Sequence, residues 1–186
     1  ANYVWAGRDG NIGWQVAGIA PVRKNWSGLV PVPGDGRYEW AGSLPVFSLP
    51  NIYDPEKGFW ATANENLASI SYPHKNAISY IWTDTYRSDR INEVLSTGAR
   101  HNLTGMMRLQ TDYLSIPART LIPFLKDLHS ADSKTEDIRT MLLSWDYILD
   151  ASSVEAGIYV AWEKRIVRNI IDLFVPEKAR KLYTSI

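Results

Sequence analysis

Cysteine is absent from the 186-residue sequence, which excludes disulfides, thiolate metal ligands and a cysteine nucleophile. Neither sign of charge dominates. Twenty Lys and Arg stand against twenty Asp and Glu, and residues 1 to 80 carry six of each. No basic face or acidic tail follows from that balance, which argues against nucleic acid and anionic membrane as partners. Long apolar runs are also missing: no stretch reaches the roughly eighteen residues a membrane helix needs, and no leader opens the chain. The sequence is therefore expected to be soluble, and either cytoplasmic or already processed. Histidine is scarce, and His74, His101 and His129 lie far apart in the sequence with no second ligand type at metal spacing, which argues against a zinc site. There is no Gly-x-Ser-x-Gly elbow, phosphate loop or dinucleotide fingerprint. The acids Glu39, Asp54 and Glu56 sit among aromatics, but nothing in their spacing pairs them as glycosidase carboxylates, and they read as solvated loop acids.

What is present is distributed unevenly. Nine of twelve glycines, seven of ten prolines and six of eight tryptophans fall before residue 83. Residues 1–83 therefore read as strands and ordered loops, and 84–186 as helices. Asn2 to Ala6 and Ile12 to Ala17 alternate as two strands, and Asp9-Gly10 between them suggests a type I′ hairpin turn. Ile12, Trp14 and Val16 share one face. Prolines and glycines recur from Pro21 to Pro55, which predicts a wrapping loop with short strand pieces. Phe59 to Ala63 reads as a further strand ended by Asn64-Glu65-Asn66. The tryptophans of this half suit either the core of a loop-rich region or a wall for a sugar or acyl ligand.

Four helices are expected in the second half. The first, about 84 to 97, sets Ile91, Val94 and Leu95 at helical spacing, with Gly98 as its C-terminal cap. The second, Thr104 to Leu128, should be broken or kinked at Pro117 and Pro123. Ser133 with Glu136, and Ser152 with Glu155, have the spacing of capping boxes that open the third and fourth. Pro176 should end the last. Strands first and helices second is an α+β pattern with segregated layers, and one hairpin plus one short strand is little sheet for four helices to cover.

Four stretches carry a resemblance. They are YVWAGRDGNIGW at residues 3–14, then VPVPG at 30–34 with YEWAG at 38–42, and IYDPEKGFWATANE at 52–65. In order and spacing they resemble the large subunit of the penicillin acylases. The likeness continues through YRSDRI at 86–91 and LQTD at 109–112 and weakens after about residue 130. It implies a partial αββα sandwich of the N-terminal-nucleophile hydrolases. In that family a serine freed by self-cleavage attacks the substrate amide, and its α-amine is the general base. The resemblance places Asn64 as a side-chain donor to the oxyanion and Arg90 as an arginine that helps hold the catalytic groups. Arg87, one turn earlier, competes with Arg90 for that role. Asn76 falls where some members offer an acidic calcium ligand; no cofactor is otherwise required.

Ala1 has no side-chain nucleophile. The resemblance therefore implies that the chain is an interior piece of a precursor, inactive alone, whose partners are a small-molecule amide substrate and the rest of the small and large subunits. Association through exposed edges and a periplasmic or extracellular location are expected on the same ground. The alternative is a non-catalytic aromatic-rich module that binds a carbohydrate or other ligand.

Overall fold

The computed structural model of the chain describes residues 1–79 and 81–180. They form two compact units, Ala1–Leu103 and the residues from Thr104 onward.

The first unit is built on a three-stranded antiparallel sheet. Strands β1 (Asn2–Ala6) and β2 (Ile12–Val16) make the expected hairpin, with Trp5 opposite Gly13 and Val4 opposite Trp14. Strand order continues past β3 (Ala20–Arg23) and β4 (Trp40–Leu44), which pair with each other in a second small sheet, to β5 (Asn51–Tyr53) on the far side of β2. The hairpin turn is not type I′. That turn needs positive φ at both central residues, whereas only Gly10, at 94°, has it here. Five residues, Gly7 to Asn11, separate the paired Ala6 and Ile12. The loop is closed by Gly10 N–H donating to Gly7 O at 3.2 Å and by the Asp9 carboxylate accepting from the Asn11 amide.

Of the β2 residues expected on one face, Trp14 is buried deepest, at 3% exposure. Its ring stacks on Trp60, centroids 5.3 Å apart, and its Nε1–H donates to Asn2 Oδ1 at 2.8 Å. Phe59 to Ala63 is not a strand. The place beside β2 is taken by β5, so the segment has no ladder to join and instead lays Trp60 against Trp14. The unit ends with helix α1 (Tyr86–Leu95), shorter at both ends than expected; Ser96 caps it, and Gly98, φ 72°, follows the cap.

The second unit is helical: α2 (Leu103–Gln110), whose first residue still belongs to the first unit, α3 (Ile116–Leu121), a 3₁₀ segment Ile122–Asp127, α4 (Ser133–Leu143), α5 (Val154–Phe174) and α6 (Glu177–Arg180). The long second helix foreseen from Thr104 is thus three pieces. Its first break comes ahead of Pro117, where Asp112 Oδ1 accepts the Leu114 N–H and Ser115 Oγ caps α3 by accepting from Ala118 N. Pro117 and Pro123 sit in the first turns of the segments that follow, where a missing N–H costs little. The caps shift by one residue. Asp132, not Ser133, accepts from the Thr135 N–H, and Ser153, not Ser152, accepts from Ala156. Ala118 of α3, Ile122 of the 3₁₀ segment, Leu142 of α4, Trp145 just beyond it, and Ala156 and Tyr159 of α5 form this unit's core.

Candidate functional site: a cleft lined by Asn64

A cleft of about 590 Å³ opens in the first unit, with Trp14, Leu49, Pro50 and Trp82 among its apolar walls and Asn64 and Glu65 among its polar ones. The β2 strand supplies Trp14, and the loop after β4 supplies Leu49, which is 2% exposed.

Asn64 stands in a left-handed turn, φ 71°. Asparagine is one of the few residues that tolerates this region. The backbone on both sides of the turn is held. Ala63 N–H donates to the buried Glu65 carboxylate at 2.7 Å. Ala63 O accepts from Thr83 Oγ1 at 3.3 Å and from Arg87 Nη2 at 2.7 Å. Asn64 O accepts from Thr83 N at 3.3 Å. The same Arg87 Nη2 reaches the side chain, donating to Asn64 Oδ1 at 2.8 Å. Arg87 comes from the first turn of α1, and α1 is in turn tied to the Trp60 loop: Lys57 Nζ donates to Asn92 Oδ1 at 3.2 Å and lies 4.7 Å from the Trp60 ring centroid.

The structure therefore brings Arg87 to Asn64. Arg90 pairs with Glu93 on its own helix, Nη1 to Oε1 3.4 Å, with its side chain 23% exposed. Sequence reading left the two arginines as competitors and did not foresee Glu65 or Thr83. The run Thr83-Asp84-Thr85 ahead of α1 was a visible helix-start signal, but nothing local indicated that Thr83 would reach back twenty residues to Ala63. The Asn76 backbone lies in a 3₁₀ turn, Lys75–Ala77, and its side chain lies outside the described residues. Among the described residues no three His, Asp or Glu side chains converge, so they form no carboxylate cluster of the kind that favours calcium. Likewise, among the described residues no helix is long and apolar enough to cross a membrane.

Ser79 is a hydroxyl on the cleft wall. Its Oγ donates to Ile81 O at 3.0 Å and accepts the Ile81 N–H, and no histidine or lysine is among the described lining residues that would activate it. The chemistry this arrangement offers is that of hydrogen-bond donation from a neutral amide on the wall of a cleft with apolar and polar sides.

By fold the chain matches part of a solved acylase. It superposes on the thermostable penicillin G acylase from Alcaligenes faecalis with a TM-score of 0.73 over 98% of this chain and 34% of that one, at 24% identity. The chain belongs to the penicillin amidase family, whose profile matches residues 1–184. It is 31% identical over 185 residues to an acyl-homoserine lactone acylase of Pseudomonas aeruginosa, covering 90% of this chain and 21% of the relative. It is 32% identical over 164 residues to the penicillin acylase 2 proenzyme of a Pseudomonas species, covering 86% and 20%. The chain thus spans about a fifth of the length of these curated relatives.

Proposed function

We propose that this chain supplies the oxyanion-binding part of an acylase that hydrolyses the amide bond of penicillin-like or other N-acyl substrates. The observation that carries the reading is the Asn64 carboxamide, set at the cleft by a left-handed turn whose backbone is hydrogen-bonded on both sides. When a nucleophile adds to an amide carbonyl, the oxygen becomes an anion, and donors fixed in advance stabilise it without reorganisation. A carboxamide NH₂ suits this because it donates without a charge that titrates. The attacking serine, with its own α-amine as base, comes from another segment of the precursor, a reading supported by the unactivated Ser79 and by the short span of the relatives covered. The family likeness casts Arg90 as a supporting cation on α1, where it pairs with Glu93, and Arg87 is the arginine that reaches Asn64. The substrate classes named for the relatives, penicillins and acyl-homoserine lactones, bound the acyl amides to try first.

The test is Asn64→Ala in the full-length enzyme, assayed on both classes. Loss of one such donor raises the barrier by about 2.7–4 kcal/mol, so kcat should fall by roughly 10²–10³. Turnover at the wild-type rate would sink the assignment.

A further inference from the structure

We infer that a second pocket in the first unit binds a small phosphate monoester, a dianionic head on a short apolar body. The inference does not depend on the oxyanion reading of Asn64. The pocket, of about 470 Å³, shares only Ala77 with the Asn64 cleft among the described lining residues, and its size falls in the range of small-molecule sites. Val22, Leu44 and Ile70 give it an apolar wall. Arg23, His74 and Lys75 line it as well, and no carboxylate is among its described lining residues. In a chain with twenty charges of each sign, that bias is local to the pocket.

Backbone geometry brings the basic residues together. Arg23 ends β3, and the 3₁₀ turn Lys75–Ala77 packs against that strand. The turn is closed by Ala77 N–H donating to His74 O at 2.9 Å and by Ile78 N–H donating to Lys75 O at 3.2 Å. Tyr72 anchors the approach to it: the hydroxyl donates to Ser48 O at 3.0 Å, and the ring meets the His74 ring edge-on, centroids 5.8 Å apart. The Arg23 guanidinium carbon lies 5.5 Å from the Trp26 ring centroid, and a Cβ added at Gly28 would stand 2.9 Å from Arg23 Nε. Arg23 is thus held in place before any ligand arrives, which spares a ligand part of the ordering cost. Among the described residues Lys75 Nζ has no hydrogen-bond or ion-pair partner.

The same placement disfavours a cation. Asn76, where the family likeness offers a calcium ligand, stands between Lys75 and Ala77, both on the pocket wall. Calcium is held by several oxygens, carboxylates foremost, and an ammonium and a guanidinium repel it. Positive charge that a metal ion would bring is carried here by side chains, so the complementary ligand is an anion. Arginine and lysine together suit a phosphate, one as a planar fork and the other as a point charge.

The experiment titrates the full-length enzyme with phenyl phosphate by isothermal calorimetry at constant ionic strength, beside Lys75→Gln and Lys75→Glu. Wild type should bind with a Kd on the order of 1 mM, the level a ligand of this size reaches at ordinary efficiency, and more weakly as salt is raised. Lys75→Gln should weaken binding by about threefold and Lys75→Glu by about tenfold, because reversal removes an attraction and adds a repulsion. Benzoate, with a similar body and one charge, should bind more weakly than phenyl phosphate. Both Lys75 variants should keep wild-type kcat and KM on a chromogenic N-acyl anilide, with which phenyl phosphate should not compete. Absence of binding, equal affinity in all three proteins, or competition with the anilide overturns the inference. Benzoate binding as tightly as phenyl phosphate overturns it too. So does calcium binding that Asn76→Ala abolishes, since the cation would then hold the place argued for the anion.

Discussion

Gly13 sits at the middle of β2 with Trp5 of β1 on one side and Tyr53 of β5 on the other, all three in cross-strand register and so on one face. The glycine has no side chain, and the Trp5 ring lies over the gap toward Tyr53, centroids 5.7 Å apart. A Cβ added at Gly13 would stand 2.6 Å and 2.7 Å from two carbons of the Trp5 ring and 2.8 Å from Ile52 O. The ring, 41% exposed, has room to swing out; the carbonyl belongs to the β2–β5 ladder and does not. Gly13→Ala should therefore cost about 1–3 kcal/mol through overpacking, reduced by about 0.4–1 kcal/mol because alanine also restricts the unfolded chain. For a chain of this size each kcal/mol moves the thermal midpoint by about 2–4 °C. Differential scanning calorimetry measures the midpoint, and tryptophan fluorescence reports the expelled Trp5. Since Trp14 is the next residue and lines the cleft, the loss should carry over to catalysis in the full-length enzyme. An unchanged midpoint together with an unchanged emission spectrum would refute the packing account of this sheet.

Two other perturbations test separate parts of the molecule. Asn64→Gly keeps the left-handed turn comfortable but deletes the amide and the bond it accepts from Arg87, so the thermal midpoint should fall only slightly while kcat falls by roughly 10²–10³; an unchanged kcat contradicts the role drawn at that residue. In the helical unit, the Arg139 guanidinium, hydrogen-bonded to Glu136, together with the Ser130 N–H, lowers the Glu136 carboxyl from 4.5 to about 2. A depressed folded-state pKa contributes stability that is complete above the unfolded value and is lost as pH falls through the folded one. Between pH 4.5 and 2, wild type should lose more thermal stability than Glu136→Gln, and parallel curves would show that the pair contributes nothing.

How much of this was legible in the sequence follows from how local each signal is. The β1–β2 hairpin is written in adjacent residues, an alternation and a turn pair. The length of its loop is not, because Gly7 and Asn11 extend the turn through a backbone contact at 2.7 Å that no turn residue announces. Helices α4 and α5 show their apolar spacing plainly, yet the caps move by one position because Asp132 and Ser133, or Ser152 and Ser153, are adjacent and each is chemically able to cap. Strands β3, β4 and β5 hide in a proline- and glycine-rich stretch, where three to five residues are too few to show a period. Asn64 was reached by likeness to a family and not by any local pattern. Its bond to Arg87 spans 23 residues, and it is made by folding back a loop whose course depends on Trp14 stacking against Trp60.

The turn at residue 64 has a consequence for which side chains that position accepts. The left-handed backbone admits glycine, asparagine and aspartate with little cost and resists nearly everything else. The proposed chemistry passes a neutral donor and rejects a carboxylate, which would repel the oxyanion. Glutamine satisfies the chemistry and fails the backbone; glycine and aspartate do the reverse. A saturation library at this codon would meet two independent sieves, one for expression and one for turnover, and asparagine alone comes through both.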